Sequence, residues 1–259
     1  MTANKIKIIF LGTNGWYDTA TGNTICVLID APEAHIVLDA GNGIYKLDRY
    51  IKENKPIYLF LSHFHLDHII GLHILAKFKF KQGIDIYVQP GTKEFIRNFI
   101  NRPLTAPIRI LPTKVRISEF PCWVNRHTKN FGVAVKALPL RHVERCFGFR
   151  FDFNGKVISY CPDTGVCENA VKLSKGADLL IAECAFKTGQ KSDKWPHLNP
   201  TTAAEIAKKA VAKKLALVHF DAEVYKTLAE RKQAGKQARK IFRRTIASED
   251  GMIMTIGGK

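Results

Sequence analysis

The sequence predicts an α/β fold in which two sheets pack face to face with helices on the outside. Three observations carry that expectation. Apolar runs of strand length alternate with segments of helical periodicity through both halves of the chain. No composition break, Pro/Gly/Ser-rich linker, internal repeat or low-complexity stretch divides the 259 residues, so one domain over 1–259 is expected. Histidines and aspartates recur directly after strand-like runs, as they do when strand ends meet at one edge of a sheet structure.

The elements follow in order. Strands are expected near 6–11, 24–30 and 35–39, then at Ile57-Tyr58-Leu59-Phe60-Leu61. A helix from Gly71 to about Phe80 follows. Ile84-Asp85-Ile86-Tyr87-Val88 alternates as a strand does, and Gly91 to Ile100 reads as a short helix with Phe95, Ile96 and Phe99 on one face. Four prolines between Asn101 and Pro121 mark an irregular covering segment with room to roof a site. Strands return near 131–138, 147–153 and 156–160. Thr202-Ala203-Ala204-Glu205 reads as a capping box. The helix it opens carries the apolar stripe Ala203, Ile206, Ala207, Ala210 and Val211, with Lys208, Lys209 and Lys213 facing out. The stretch 226–244 reads as a last helix.

Composition narrows the class. With 46% hydrophobic and 24% charged residues the chain can bury a sizeable core. No run reaches the ~18 apolar residues of a membrane span, and the start lacks a signal-peptide core. Six cysteines (Cys26, Cys122, Cys146, Cys161, Cys167 and Cys184) include no Cys-x-x-Cys pair, and several sit in apolar runs as small hydrophobes. A reduced, cytoplasmic protein is expected. Cys184, beside Glu183, reads as core filler.

His63-Phe64-His65-Leu66-Asp67-His68 is the strongest chemical signal. Alternate side chains of an extended backbone share a face, so His63 and His65 can grip one ion together. Asp67 and His68 follow a turn and reach a second position. Imidazole and carboxylate suit zinc, and manganese or iron are also served by such a set. His142, Asp163 and His219 each follow a further strand-like run and supply the donors that a two-metal site still needs. His35, His73 and His127 lack the spacing for another site.

In this order, His-x-His-x-Asp-His, His, Asp, His, the chain resembles the metallo-β-lactamase fold superfamily of metallohydrolases over nearly its whole length. The ribonuclease Z-like branch is most similar. Further resemblance lies in Leu11-Gly12-Thr13, Leu38-Asp39-Ala40-Gly41, Leu179 through Phe186, His197-Leu198-Asn199-Pro200-Thr201-Thr202-Ala203-Ala204 and Leu217-Val218-His219-Phe220. The resemblance implies an αββα sandwich of two mixed sheets with helices on the outer faces. It implies one zinc on His63, His65 and His142, a second on Asp67, His68 and His219, and Asp163 bridging them. It also implies that His197, oriented by Glu183, protonates the leaving oxygen. Asp67 accepts the proton of the attacking water.

The expected activity is hydrolysis of a phosphodiester by a metal-bound hydroxide, on a nucleotide, cyclic nucleotide or other small phosphodiester. His142 and Asp163 stand only 21 positions apart, with a plain hairpin between them, where transfer-RNA-processing members carry a long arm. That departure favours a small substrate. The net charge of +17, with eight basic residues against one acid in 226–244, keeps RNA as an alternative partner through that segment. A homodimer is compatible with the sequence. Competing readings are a ribonuclease Z-type nuclease, a thioesterase or lactonase of the same fold, and a non-enzymatic nucleic-acid-binding protein.

Overall fold

The computed structural model describes residues 5–120, 126–127 and 133–257. Pro121, Cys122, the start of the strand expected at 131 and the side chain of His127 lie outside the described residues. The first half of the chain forms β1 (Ile6–Gly12), β2 (Asn14–Gly15), β3 (Cys26–Asp30), β4 (His35–Leu38), α1 (Leu47–Tyr50) and β5 (Ile57–Phe60). It continues with α2 (Leu66–Ile69), β6 (Ile84–Val88), α3 (Lys93–Phe99) and β7 (Val115–Glu119). The second half forms β8 (Arg126–His127), β9 (Ala134–Pro139), β10 (Phe147–Phe153), β11 (Lys156–Cys161), α4 (Glu168–Ser174) and β12 (Leu179–Glu183). Then come α5 (Pro200–Lys209), β13 (Leu215–Val218), β14 (Phe220–Asp221), α6 (Leu228–Arg239), β15 (Thr245–Ala247) and β16 (Ile253–Ile256).

Two seven-stranded sheets result, ordered β16-β1-β3-β4-β5-β6-β7 and β15-β13-β12-β11-β10-β9-β8. Both are mixed. β4 to β7 run parallel, as do β11, β12, β13 and β15, while the remaining pairs are antiparallel. The period of two along each strand sorts side chains into three layers. Ile6, Ile8 and Phe10 of β1 meet Phe149, Phe151 and Ile181 between the sheets. Ile9 and Leu11, one step along, pack outward with Leu47, Leu72 and Leu75. On the other outer face Leu180 and Ala182 lie under Ala203, Ile206 and Ala234 of α5 and α6. The expected αββα sandwich is the observed architecture.

Several local expectations shift. The helix after the first motif begins inside it, at Leu66, and continues as 3₁₀ turns over Ile70–Lys77. Gly71 permits this because a Cβ there would lie 2.3 Å from the Gly41 carbonyl oxygen. α5 starts at Pro200. Asn199 is its N-cap, accepting from the Thr201 and Thr202 amides, so Thr202 closes the capping box from the third helical position. Val211 leaves the stripe. It sits past the helix end at φ 53° and is exposed.

The segment after α3 is not wholly irregular, since β7 extends the first sheet in parallel with β6. Its described residues line a separate cavity with Arg97 and Arg116 rather than a roof over the metal motif. α6 is shorter than 226–244, and Arg231 points into the protein.

Candidate metal centre

Parallel strands deliver their C-terminal ends to the same edge, where open α/β sheets place their ligands. His63 follows β5, Asp163 follows β11, Glu183 ends β12 and His219 follows β13. His142 comes from the loop after β9, held by the Gly165 amide donating to the Arg141 carbonyl at 2.8 Å. The seven side chains expected as ligands converge.

His63 Nε2 lies 3.1 Å from His65 Nδ1, which lies 3.3 Å from His142 Nε2. His68 Nε2 lies 3.1 Å from His219 Nε2, and His219 Nε2 lies 3.1 Å from Asp67 Oδ2. Asp163 faces both groups. Its Oδ1 is 3.1 Å from both His68 Nε2 and His219 Nε2, and its Oδ2 is 3.8 Å from His63 Nε2 and 3.9 Å from His142 Nε2.

The donors fit two cations better than they fit each other. Asp163 Oδ1 is buried and, despite those close nitrogens, accepts no hydrogen bond. Ring nitrogens and carboxylate oxygens aimed at shared points, not along one another's N–H directions, are what a cation requires. Burial drives the His63 imidazole well below its ordinary value and lowers His65 and His142, the last to about 4. These three are neutral at pH 7, as ligand imidazoles must be. Burial acts the same way on His68 and His219, but the carboxylates around them together outweigh it and raise both, Asp163 and Asp67 at each ring and Asp39 at His68 as well.

A supporting set, which sequence reasoning gave no role, holds the donors in place. Asp39 is fully buried just past β4. It accepts from His68 Nδ1 at 2.9 Å, the Ser62 amide at 2.7 Å, the Ser62 hydroxyl at 2.9 Å and the Tyr160 hydroxyl at 2.7 Å. A carboxylate partner on the far ring nitrogen fixes the tautomer that leaves Nε2 free. The available signal was an acid directly after the apolar run Ile36-Val37-Leu38.

The loop after β1 clamps the other side. A Cβ on Gly15 would lie 2.5 Å from His219 Cε1, so only glycine lets this backbone pass the ring. The Trp16 amide donates to Asp67 Oδ2 at 2.8 Å. Arg231 of α6 anchors the loop, donating to Thr13 Oγ1 at 3.0 Å, Thr21 Oγ1 at 2.7 Å and Asn14 Oδ1.

His197 Nδ1 donates to Glu183 Oε1 at 2.7 Å. Glu183 is fully buried and fixed by the Thr164 and Ala185 amides, each at 2.9 Å. Burial opposes charge on His197, but the Glu183 carboxylate prevails and raises it to about 9. His197 also stands within 4.8 Å of donors on Asp163 and His219. Cys184 is buried with its sulfur 3.7 Å from the Tyr225 hydroxyl, and belongs to the core. Two of the three histidines expected to be bland lie among the described side chains, and neither joins the metal centre. His35 is buried against Asp30 at 3.2 Å, and His73 is exposed.

The cleft in front of these groups encloses about 670 Å³. It is lined by Gly15, Trp16, Tyr17, His65, Leu66, Asp67, Asp163, Ala185, Trp195, His197, His219 and Asp221, with no lysine or arginine among them.

Comparison with known proteins agrees with this geometry. A beta-lactamase superfamily domain model matches residues 34–220. Ribonuclease Z of Pyrococcus abyssi is 27% identical, over 83% of this chain and 86% of its own. The probable metallo-hydrolase YhfI of Bacillus subtilis is also 27% identical, over 83% and 87%. The crystal structure of YhfI superimposes with a TM-score of 0.82 at 22% identity, covering 98% of this chain and all of that one. Human tRNase Z, short form, gives 0.73 at 24% identity, covering 96% and 98%. The chain belongs to the beta-lactamase superfamily, as a metal-dependent hydrolase of metallo-β-lactamase fold.

Proposed function

We propose that the protein is a dinuclear metal-dependent phosphodiesterase acting on a nucleotide, cyclic nucleotide or other small phosphodiester. In this reading His63, His65 and His142 hold one divalent cation, most naturally zinc. Asp67, His68 and His219 hold the other, and Asp163 serves both. When bound, two such ions lower the pKa of a water and offset charge on phosphoryl oxygens. The chain's own residues do the rest. Asp67 accepts the attacking water's proton, and the Trp16 amide holds its carboxylate in place. Glu183 keeps His197 protonated with Nδ1 engaged, so that Nε2–H serves the leaving oxygen.

The observation that carries this reading is the His197–Glu183 pair beside a full donor set. Thioester hydrolysis has less need of it, because a thiolate leaves without a proton. The relatives named ribonuclease Z favour RNA as the substrate. Against RNA stand a cleft with no lysine or arginine among its described lining residues and a β10–β11 hairpin closed by Asn154–Gly155, where a gripping arm would lie. An activity panel on metal-replete protein tests the proposal, with bis(p-nitrophenyl) phosphate, cyclic nucleotides, precursor tRNA, a thioester and a lactone. Turnover of the diesters with little on tRNA supports it, whereas preference for tRNA, thioester or lactone overturns it.

A further inference from the structure

The rim of the cleft is unusually aromatic and apolar for a site expected to receive an anion. Trp16 is 65% exposed, Leu66 62% and Trp195 50%, and all three line the same cleft with Tyr17. Single exposed hydrophobics are ordinary on a protein surface, but four around one functional cleft are not.

Two of them are also held by structure that packing alone does not require. Trp16 has φ 73°, a backbone conformation that bulky residues rarely adopt, and its amide is tied to Asp67 Oδ2 at 2.8 Å. Its ring meets Tyr17 edge-on at 5.1 Å, and the Tyr17 hydroxyl is fixed on Glu223 at 2.8 Å. Trp195 lies parallel to the His65 imidazole, 5.5 Å away with planes 8° apart. Both indoles are thus indexed to groups of the metal centre rather than to the core.

We infer that Trp16 and Trp195 form a stacking site for the nucleobase of a mononucleotide-type phosphodiester whose phosphate lies at the metal donors. The inference rests on the phosphodiesterase reading and narrows its substrate class. Every base offers a π-face, so stacking on such rings gives affinity without sequence readout. Among the described residues the lining carries no lysine or arginine to grip further phosphates, and its Asp221 carboxylate repels them. A nucleoside bearing one phosphodiester matches that balance, whereas a polyphosphate does not.

The test compares two ligands that differ only in the base. Metal-replete protein is titrated calorimetrically with adenosine 5′-monophosphate and with ribose 5-phosphate. The adenosine compound is expected to bind about 10–100-fold tighter. Trp16→Leu and Trp195→Leu should each weaken it by about 5–100-fold and leave ribose 5-phosphate within about twofold, and Trp195→Tyr should retain most of the preference. Equal affinity for the two ligands in the unaltered protein, no measurable affinity for either, or Leu variants that shift neither ligand or both alike, would overturn the stacking site. Hydrolysis of bis(p-nitrophenyl) phosphate by the same preparation reads the phosphodiesterase proposal separately. Base-selective binding without hydrolysis keeps the stacking site and removes the activity, and hydrolysis with base-blind binding does the reverse.

Discussion

His197 is where the chemistry separates most cleanly from metal binding. It is held by Glu183 and lies outside both donor triads, so His197→Ala should leave metal content and folding nearly intact. For a diester with a poor alkoxide leaving group, kcat should fall by about 10²–10⁴, and much less for a p-nitrophenyl ester. Equal losses on both substrates would assign a positioning role, and loss of metal would make His197 a ligand. Gly15 offers a second test. Gly15→Ala drives a methyl into the His219 ring, so affinity at the position formed by Asp67, His68 and His219 should drop by about 10–100-fold while the fold persists. Metal titration of the variant checks this, and unchanged affinity would show that the ring can yield. The seven donors were legible because residue type and place after a strand both signal ligation. Asp39, Gly15 and Trp16 were not, because their roles depend on where the backbone goes in space.

α6 shows what a helical segment's composition hides. Its basic face reads as solvated or substrate-facing, yet Arg231 is buried and bound to neutral acceptors of the 13–21 loop, with Nε unpaired. Replacing it by Met strands those acceptors. Arg231→Met should cost about 2–4 kcal/mol in denaturant unfolding and loosen metal binding through the loop. Lysine should not rescue it, lacking the guanidinium fork. A full-stability Arg231→Met variant would refute the anchoring role. At the β3–β4 end, burial would raise Asp30, but His35 and Lys55 bring it down to about 2. A carboxylate depressed on folding stabilises above its unfolded value, near 4, and that contribution is lost as pH falls toward 2. Asp30→Asn should therefore lose about 1 kcal/mol at pH 7 and little at pH 2, compared by denaturant unfolding at both. Equal losses would refute the linkage. Helix starts were misplaced in the sequence where two capping residues lay close together, as with Asn199 and Thr202.

For the molecule as a whole, two facing sheets with helices outside were readable from the alternation of strand-like and helical segments, the mixed sheets were implied by the family resemblance, and β7 was hidden in a proline-rich stretch. The central strands β1, β3, β4, β5, β12 and β13 each feed two apolar layers, which explains their nearly continuous hydrophobic runs. The use of the surplus charge was not readable, because a sum of +17 does not say where cations stand relative to the cleft. Neutralising Lys236, Arg239 and Lys240 together should leave KM for a small diester within about twofold. A marked rise, or a flattened salt dependence, would place the segment in substrate binding.

A dinuclear centre bridged by Asp163 is best probed by metal analysis of the replete protein and of Asp163→Ala. About two zinc-like ions per chain are expected, with both weakened together in the variant, because Asp163 turns one oxygen to each donor group. One ion per chain, or a variant that loses one ion and keeps the other at full affinity, would contradict it.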